Sequence, residues 1–266
     1  MYLPMEQIFQ MEYTPLAVSL CFYLTVFAVG EISRRITERF VSHDSNLYFF
    51  LIEAVSTAQM CTCVYENAVI IRHYGPLGFF FVVSCIGCMG AILNRGAFAS
   101  PLKPVEMFYY RSIGVDKFLA TLSAQAVGGY AAFRIARHLW YLSLNLATDH
   151  AINYNASCAF SYKVSYWIVF SFEILGCFLL RATLVRIPDK MRRIGGPITM
   201  AAFLTFALSF IGVPGLNPTV ASSRMQGCDG LDLRWFFLTY WICPVIGWML
   251  SAEMENRRLR RIEKTE

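Results

Sequence analysis

Charge is what this chain has least of. Only 15% of its 266 residues are Asp, Glu, Lys or Arg, against 56% hydrophobic side chains, whereas a water-soluble domain carries about 25% charged residues. So little charge cannot cover a water-facing surface, which excludes a soluble globular domain. A basic stripe interleaved with aromatics is also missing. The formal charge of +5 comes from Lys and Arg in short connections between apolar runs, so nucleic acid is not expected as a partner. Catalytic constellations are lacking too: there is no Gly-x-Ser-x-Gly, and His43, His73, His138 and His150 stand far apart near segment ends, where they read as exposed loop residues. No enzyme is expected. The nine cysteines lie mostly inside apolar runs and read as small packing hydrophobes rather than a disulfide framework. Cys61/Cys63 and Cys85/Cys88 have no histidine or second pair beside them, so packing outweighs zinc, and neither metal nor cofactor is expected.

What the chain does have is apolar length. Seven segments, near 14–32, 47–71, 77–93, 118–146, 164–185, 198–213 and 233–249, approach the roughly 20 residues that a helix needs to cross a bilayer. The first is not a secretory signal, because Glu6 and Glu12 precede it with no Lys or Arg. Arg34, Arg35 and Arg39 follow it instead, which keeps that end in the cytosol and puts the N-terminus outside or in a lumen. Alternate threading then places 17 of the 23 basic residues on the cytosolic side, including Arg95, Lys103, Arg181 and the tail with Arg257, Arg258, Arg260, Arg261 and Lys264. The C-terminus is therefore expected in the cytosol, in a plasma membrane or an intracellular membrane such as the endoplasmic reticulum. Asn155-Ala156-Ser157 fits a glycosylation acceptor and falls on the outer side.

A repeat underlies the segments. Glu53 and Glu173 sit inside apolar runs, where a carboxylate is costly without a partner. Asn94 follows the first by 41 residues and Asn217 follows the second by 44. Each unit reads as a glutamate-bearing helix, a second helix, an Asn-headed short segment and a third helix. Three spans per unit turn the second copy upside down, with a site near the midplane between the copies. The expected layout is an N-terminal segment (1–46), a channel domain (47–251, with repeats 47–147 and 163–251) and a basic tail (252–266). Asn217 is a good N-cap and Pro218 suits the first helical position. The segment after them reads as a half-helix starting inside the membrane, which is tolerated only where protein or a water-filled cavity satisfies the backbone.

The run Gly215-Leu216-Asn217-Pro218-Thr219-Val220-Ala221 resembles the second Asn-Pro-Ala box of the aquaporin family. Tyr240-Trp241-Ile242-Cys243-Pro244-Val245-Ile246-Gly247 is similar to the family's last helix, and Glu53 and Glu173 match its loop-bracing glutamates. Cys228, nine residues past Thr219, is similar to the cysteine marking the unorthodox branch. The resemblance implies an all-α membrane protein: an inverted repeat of three-helix units, two re-entrant half-helices and an extra N-terminal helix, assembled as a homotetramer. It also implies passage of water, glycerol or hydrogen peroxide past the amides of Asn94 and Asn217. Asn94-Arg95-Gly96 stands where the first Asn-Pro-Ala box is expected, with Arg95 opposing the helix dipole, and Pro101 and Pro104 are read as keeping that half-helix short. Val220 replaces the usual filter arginine, and Arg224 lies one turn further on. A poorly conducting structural protein of an intracellular membrane and a seven-helix receptor are the alternative readings.

Overall fold

The computed structural model describes residues 5–213 and 215–262, with side chains for 14–213, 215–258 and 260. Pro214, Lys264 and the side chains of Glu6, Glu12 and Arg261 lie outside the described residues. The spanning elements are α1 (Met5–Phe40), α2 (Asn46–Leu93), α4 (Val115–Leu142), α6 (Tyr166–Arg186), α7 (Arg192–Phe210) and α10 (Cys243–Ile262). Shorter helices are α3 (Leu102–Tyr109), α5 (Thr148–Asn155), α8 (Pro218–Met225) and α9 (Leu233–Phe237). A π-helical turn, Leu238–Ile242, joins α9 to α10. Among the described residues, five helices are long and apolar enough to cross a membrane. The 28 residues of α4 also suffice, at about 42 Å.

Helix α2 is really two spans. Gly75, at φ +62° and ψ −161°, turns the chain where only glycine is comfortable, and Pro76 opens the second arm without needing an N–H partner. The proof of folding back is that Gln59 Nε2 donates to Asn94 Oδ1 at 3.2 Å. Along a straight helix those 35 residues would stand roughly 50 Å apart.

The two units interlock. Helix α2 packs on α4 and α6 on α10, while α8 of the second unit lies on α4 and α3 of the first on α10. The same device closes each unit. A Cβ on Gly128 of α4 would come 2.5 Å from the Ala54 carbonyl oxygen, and one on Gly247 of α10 would come 2.0 Å from that of Ile174. Ala54 and Ile174 directly follow Glu53 and Glu173, so each glycine lets a backbone close on the helix that carries a glutamate.

Helix α1 is attached outside the units by buried polar contacts. Fully buried Glu66 accepts from Ser19 Oγ at 2.7 Å and Trp140 Nε1 at 2.7 Å, and pairs with His150 Nε2 at 3.1 Å. His150 is therefore not the exposed loop residue expected: it lies on α5, a helix without an apolar run long enough to announce it, and only 2% of it is exposed. His73 and Arg72 hold the same helix through Asp149. The reading of cysteines as packing groups alone is also corrected, because Cys158 and Cys228 are disulfide-bonded across 70 residues. Both lie in polar connections outside the spans, where no apolar packing competes for them.

Two outcomes follow from these attachments. Glu66→Ala strands three buried partners and is expected to cost on the order of 3 kcal/mol, read as a lowered thermal midpoint in detergent; an unchanged midpoint would contradict the anchoring role. Alkylation of denatured chain should label seven cysteines before reduction and all nine afterwards.

Candidate functional site

Two re-entrant segments meet between the units. In the second, Glu173 Oε2 accepts the Leu216 N–H at 2.9 Å, and Leu216 holds a left-handed φ of +65°. Gly215 presses on the same carboxylate so closely that a Cβ there would fall 1.9 Å from Oε1. Asn217 follows as N-cap, its Oδ1 accepting from Thr219 N at 3.0 Å, and Pro218 opens α8. In the first segment Glu53 accepts the N–H groups of Phe98 at 2.9 Å and Ala99 at 2.6 Å. Ala99 is likewise left-handed, at φ +48°, and Ser100 and Pro101 lead into α3.

The register of these parts corrects the first box. Asn94 caps the end of α2, and Arg95 and Gly96 lie in the following connection at φ +50° and +81°. None of the three heads a half-helix. The residues that stand to Glu53 as Leu216-Asn217-Pro218 stand to Glu173 are Ala99-Ser100-Pro101. Pro101 and Pro104 therefore open α3 instead of ending it, as proline's fixed φ and missing N–H favour at a helix start. The usable signal was the Ser-Pro dipeptide 47 residues after Glu53, close to the 44 that separate Glu173 from Asn217; the nearer asparagine obscured it.

The segments touch through Asn217, whose Nδ2 donates to the Ala99 carbonyl at 3.0 Å. A second route joins the same places: Thr219 Oγ1 donates to Gln125 Oε1 at 3.2 Å and Gln125 Nε2 to Glu53 Oε1 at 2.7 Å. Gln125 carried no sequence signal, being one of several polar residues along α4. Asn94 and Asn217 are not brought together; Asn94 contacts Gln59.

Charged groups hold the first segment from behind. Arg95 reaches two carboxylates of α1, with Nη1 2.6 Å from Glu31 Oε2 and Nε 2.9 Å from Glu38 Oε1. It stands seven residues before α3, so it does not oppose that helix dipole. Arg34, fully buried, donates to Gln59 Oε1 at 2.9 Å. Arg181, expected on a cytosolic connection, is instead buried in α6 and forks onto Glu106 of α3 at 2.8 and 3.0 Å; Trp248 Nε1 adds a bond to Glu106 at 2.7 Å. An acidic partner four residues inside a half-helix explains how an arginine survives within a span.

Above α8 opens a cavity of about 1120 Å³ that reaches down to Thr219 and Gln125. Its wall includes Arg224, Ser222, Ser223, Cys158 and Cys228. The disulfide ties the connection after α5 to the one after α8, reinforced by the Phe160 N–H on the Asp229 carbonyl at 3.1 Å. Val220 is half-buried on α8, and Asn155 is exposed at the end of α5.

No family model matches the chain. A Caenorhabditis elegans relative carrying the aquaporin-10 name is 41% identical over 258 residues, covering 96% of this chain and 91% of its own length. Aquaporin-11 of the tardigrade Milnesium tardigradum is 27% identical over 259 residues, covering 95% and 92%, and mouse aquaporin-12 is 25% identical over 268 residues, covering 93% and 88%. Identity at this level along nearly the whole length, on an all-α bundle with two half-helices meeting tip to tip, means that the chain belongs to the aquaporin family of multi-pass membrane channels, in its unorthodox branch.

Proposed function

We propose that this channel passes water and small neutral solutes, with glycerol and hydrogen peroxide among them, past the contact between Asn217 and Ala99. That contact carries the reading. Helices α3 and α8 point their N-terminal, positive ends at one place, which disfavours cations. One N–H of the Asn217 amide is engaged by Ala99, and its second is available to a passing oxygen. Ser100 offers a hydroxyl where a second amide would stand. Val220 in place of an arginine leaves the outer constriction less polar, which favours breadth over strict water selectivity.

The basic residues near α1, α3, α7 and α10 support a cytosolic C-terminus, in the plasma membrane or the endoplasmic reticulum. The opposite face then carries the disulfide and exposed Asn155 as a glycosylation site. A homotetramer with one path per subunit is the expected assembly.

Proteoliposomes should swell in stopped-flow measurements faster than empty vesicles, and should take up glycerol or peroxide; no excess permeability to any of the three leaves only a structural role. Asn217→Ala, which removes a hydrogen bond worth about 1.4 kcal/mol to the passing solute, should lower flux roughly tenfold. Asn94→Ala should change flux far less, and equal losses in both would count against the path through Ala99 and Asn217.

A further inference from the structure

We propose that the cavity above α8 is a binding groove for an anionic phospholipid, entered sideways from the bilayer between α4 and α9. Two arginines, Arg134 and Arg224, line it, and no Asp or Glu does among the described residues. Arg134 spends two donors on the Tyr130 carbonyl and phenol oxygens, at 2.9 and 2.6 Å, and keeps the others. No carboxylate of the described residues stands within ion-pair distance of Arg224, which is half-buried in the wall. Unpaired positive charge inside a spanning region calls for a counter-charge.

The groove has the depth and walls of a lipid site. Gly129 of α4 is level with Thr219 at the tip of α8. Arg134 is five residues further along α4, about 7.5 Å, and Arg224 is seven past Asn217, about 10 Å. From there long side chains snorkel to the phosphate level of a leaflet whose hydrocarbon half is about 15 Å thick. Below the arginines apolar side walls flank a polar floor of Gln125, Thr219, Ser222 and Ser223. Leu122 and Ala126 line the α4 side, and Leu233, Phe237 and Trp241, four residues apart, run down the other. Phe133, Leu233 and Phe237 are exposed, so the groove opens on the outer surface of the bundle. Helix α4 packs on α2, α3, α5 and α8, while its contacts with α9 and the π-helical turn are at most marginal. The floor is sealed by Trp241 Nε1 on Ser222 Oγ at 2.8 Å and Ser223 Oγ on the Gly129 carbonyl at 2.7 Å. A phosphate would take the two guanidiniums, and an acyl chain would fill the gap beneath.

Protein reconstituted in phosphatidylcholine with phosphatidylglycerol should unfold at a higher temperature than in phosphatidylcholine alone. Lipid that stays with protein extracted from the mixed bilayer should be enriched in phosphatidylglycerol on the order of tenfold over the bulk. The double variant Arg134→Gln, Arg224→Gln should lose both effects, and so should Ala126→Trp, which fills the lower groove and leaves the arginines in place. If Ala126→Trp fails to fold, the arginine pair decides alone. Absence of enrichment in the unaltered protein, its survival in the arginine variant, or its survival in folded Ala126→Trp would overturn the proposal. Equal thermal protection by inorganic phosphate in phosphatidylcholine would assign the arginines to a free anion and overturn it as well.

Discussion

Inside a bilayer a backbone N–H that leaves the helix must find an acceptor in the protein, and here two buried carboxylates supply it. Glu53 takes the amides of Phe98 and Ala99, and Glu173 that of Leu216. Ala99 and Leu216 both sit in the left-handed region, which side chains with a Cβ avoid, so each glutamate holds a conformation that the chain would otherwise leave. The half-helices begin three and two residues later, at Leu102 and Pro218, because of it. Replacing a water-facing turn by a carboxylate-braced one is what allows α3 and α8 to start in the interior and face each other.

Around that pair the two units solve the same problem with different chemistry. The second half-helix is held by hydroxyl and amide bonds, from Ser223 to the Gly129 carbonyl and from Thr219 to Gln125. The first is held by the Arg181 fork and Trp248 on Glu106. Helix α1 adds a brace that belongs to neither unit: Glu31 and Glu38 receive Arg95, and buried Arg34 reaches Gln59, which in turn holds Asn94. The connection between α2 and α3 is thus pinned at both its ends, by α1 on one side and Glu53 on the other. Buried Arg34 would be left short of acceptors if Gln59 or Glu31 were truncated, so the extra helix is an integral part of the bundle.

The spans were legible because apolar length is a long-range signal that local detail cannot hide. The Gly75-Pro76 turn separated two of them, and the second box announced itself through Asn217-Pro218. The first box was misplaced because an asparagine at a plausible distance competes with a serine, and residue type cannot say which of two caps the chain uses when both lie in a connection. Helix α5 and the Cys158–Cys228 bond escaped for a related reason. Each depends on tertiary neighbours, Glu66 and Asp149 for the helix and the adjoining strand-like bridge at Ala159 and Asp229 for the bond, and neither leaves a periodic trace. Arg181 was assigned to a connection on charge alone; its partner Glu106 lies 75 residues away.

The single-residue turn at Gly75 bears on how the protein is made. With no loop between them, the two arms of α2 cannot be handed to the bilayer one after the other and left apart. They form a hairpin with Arg72 and His73 just before its tip. Asp149 of α5 meets both side chains, so the charge at the hairpin tip is balanced within the first unit.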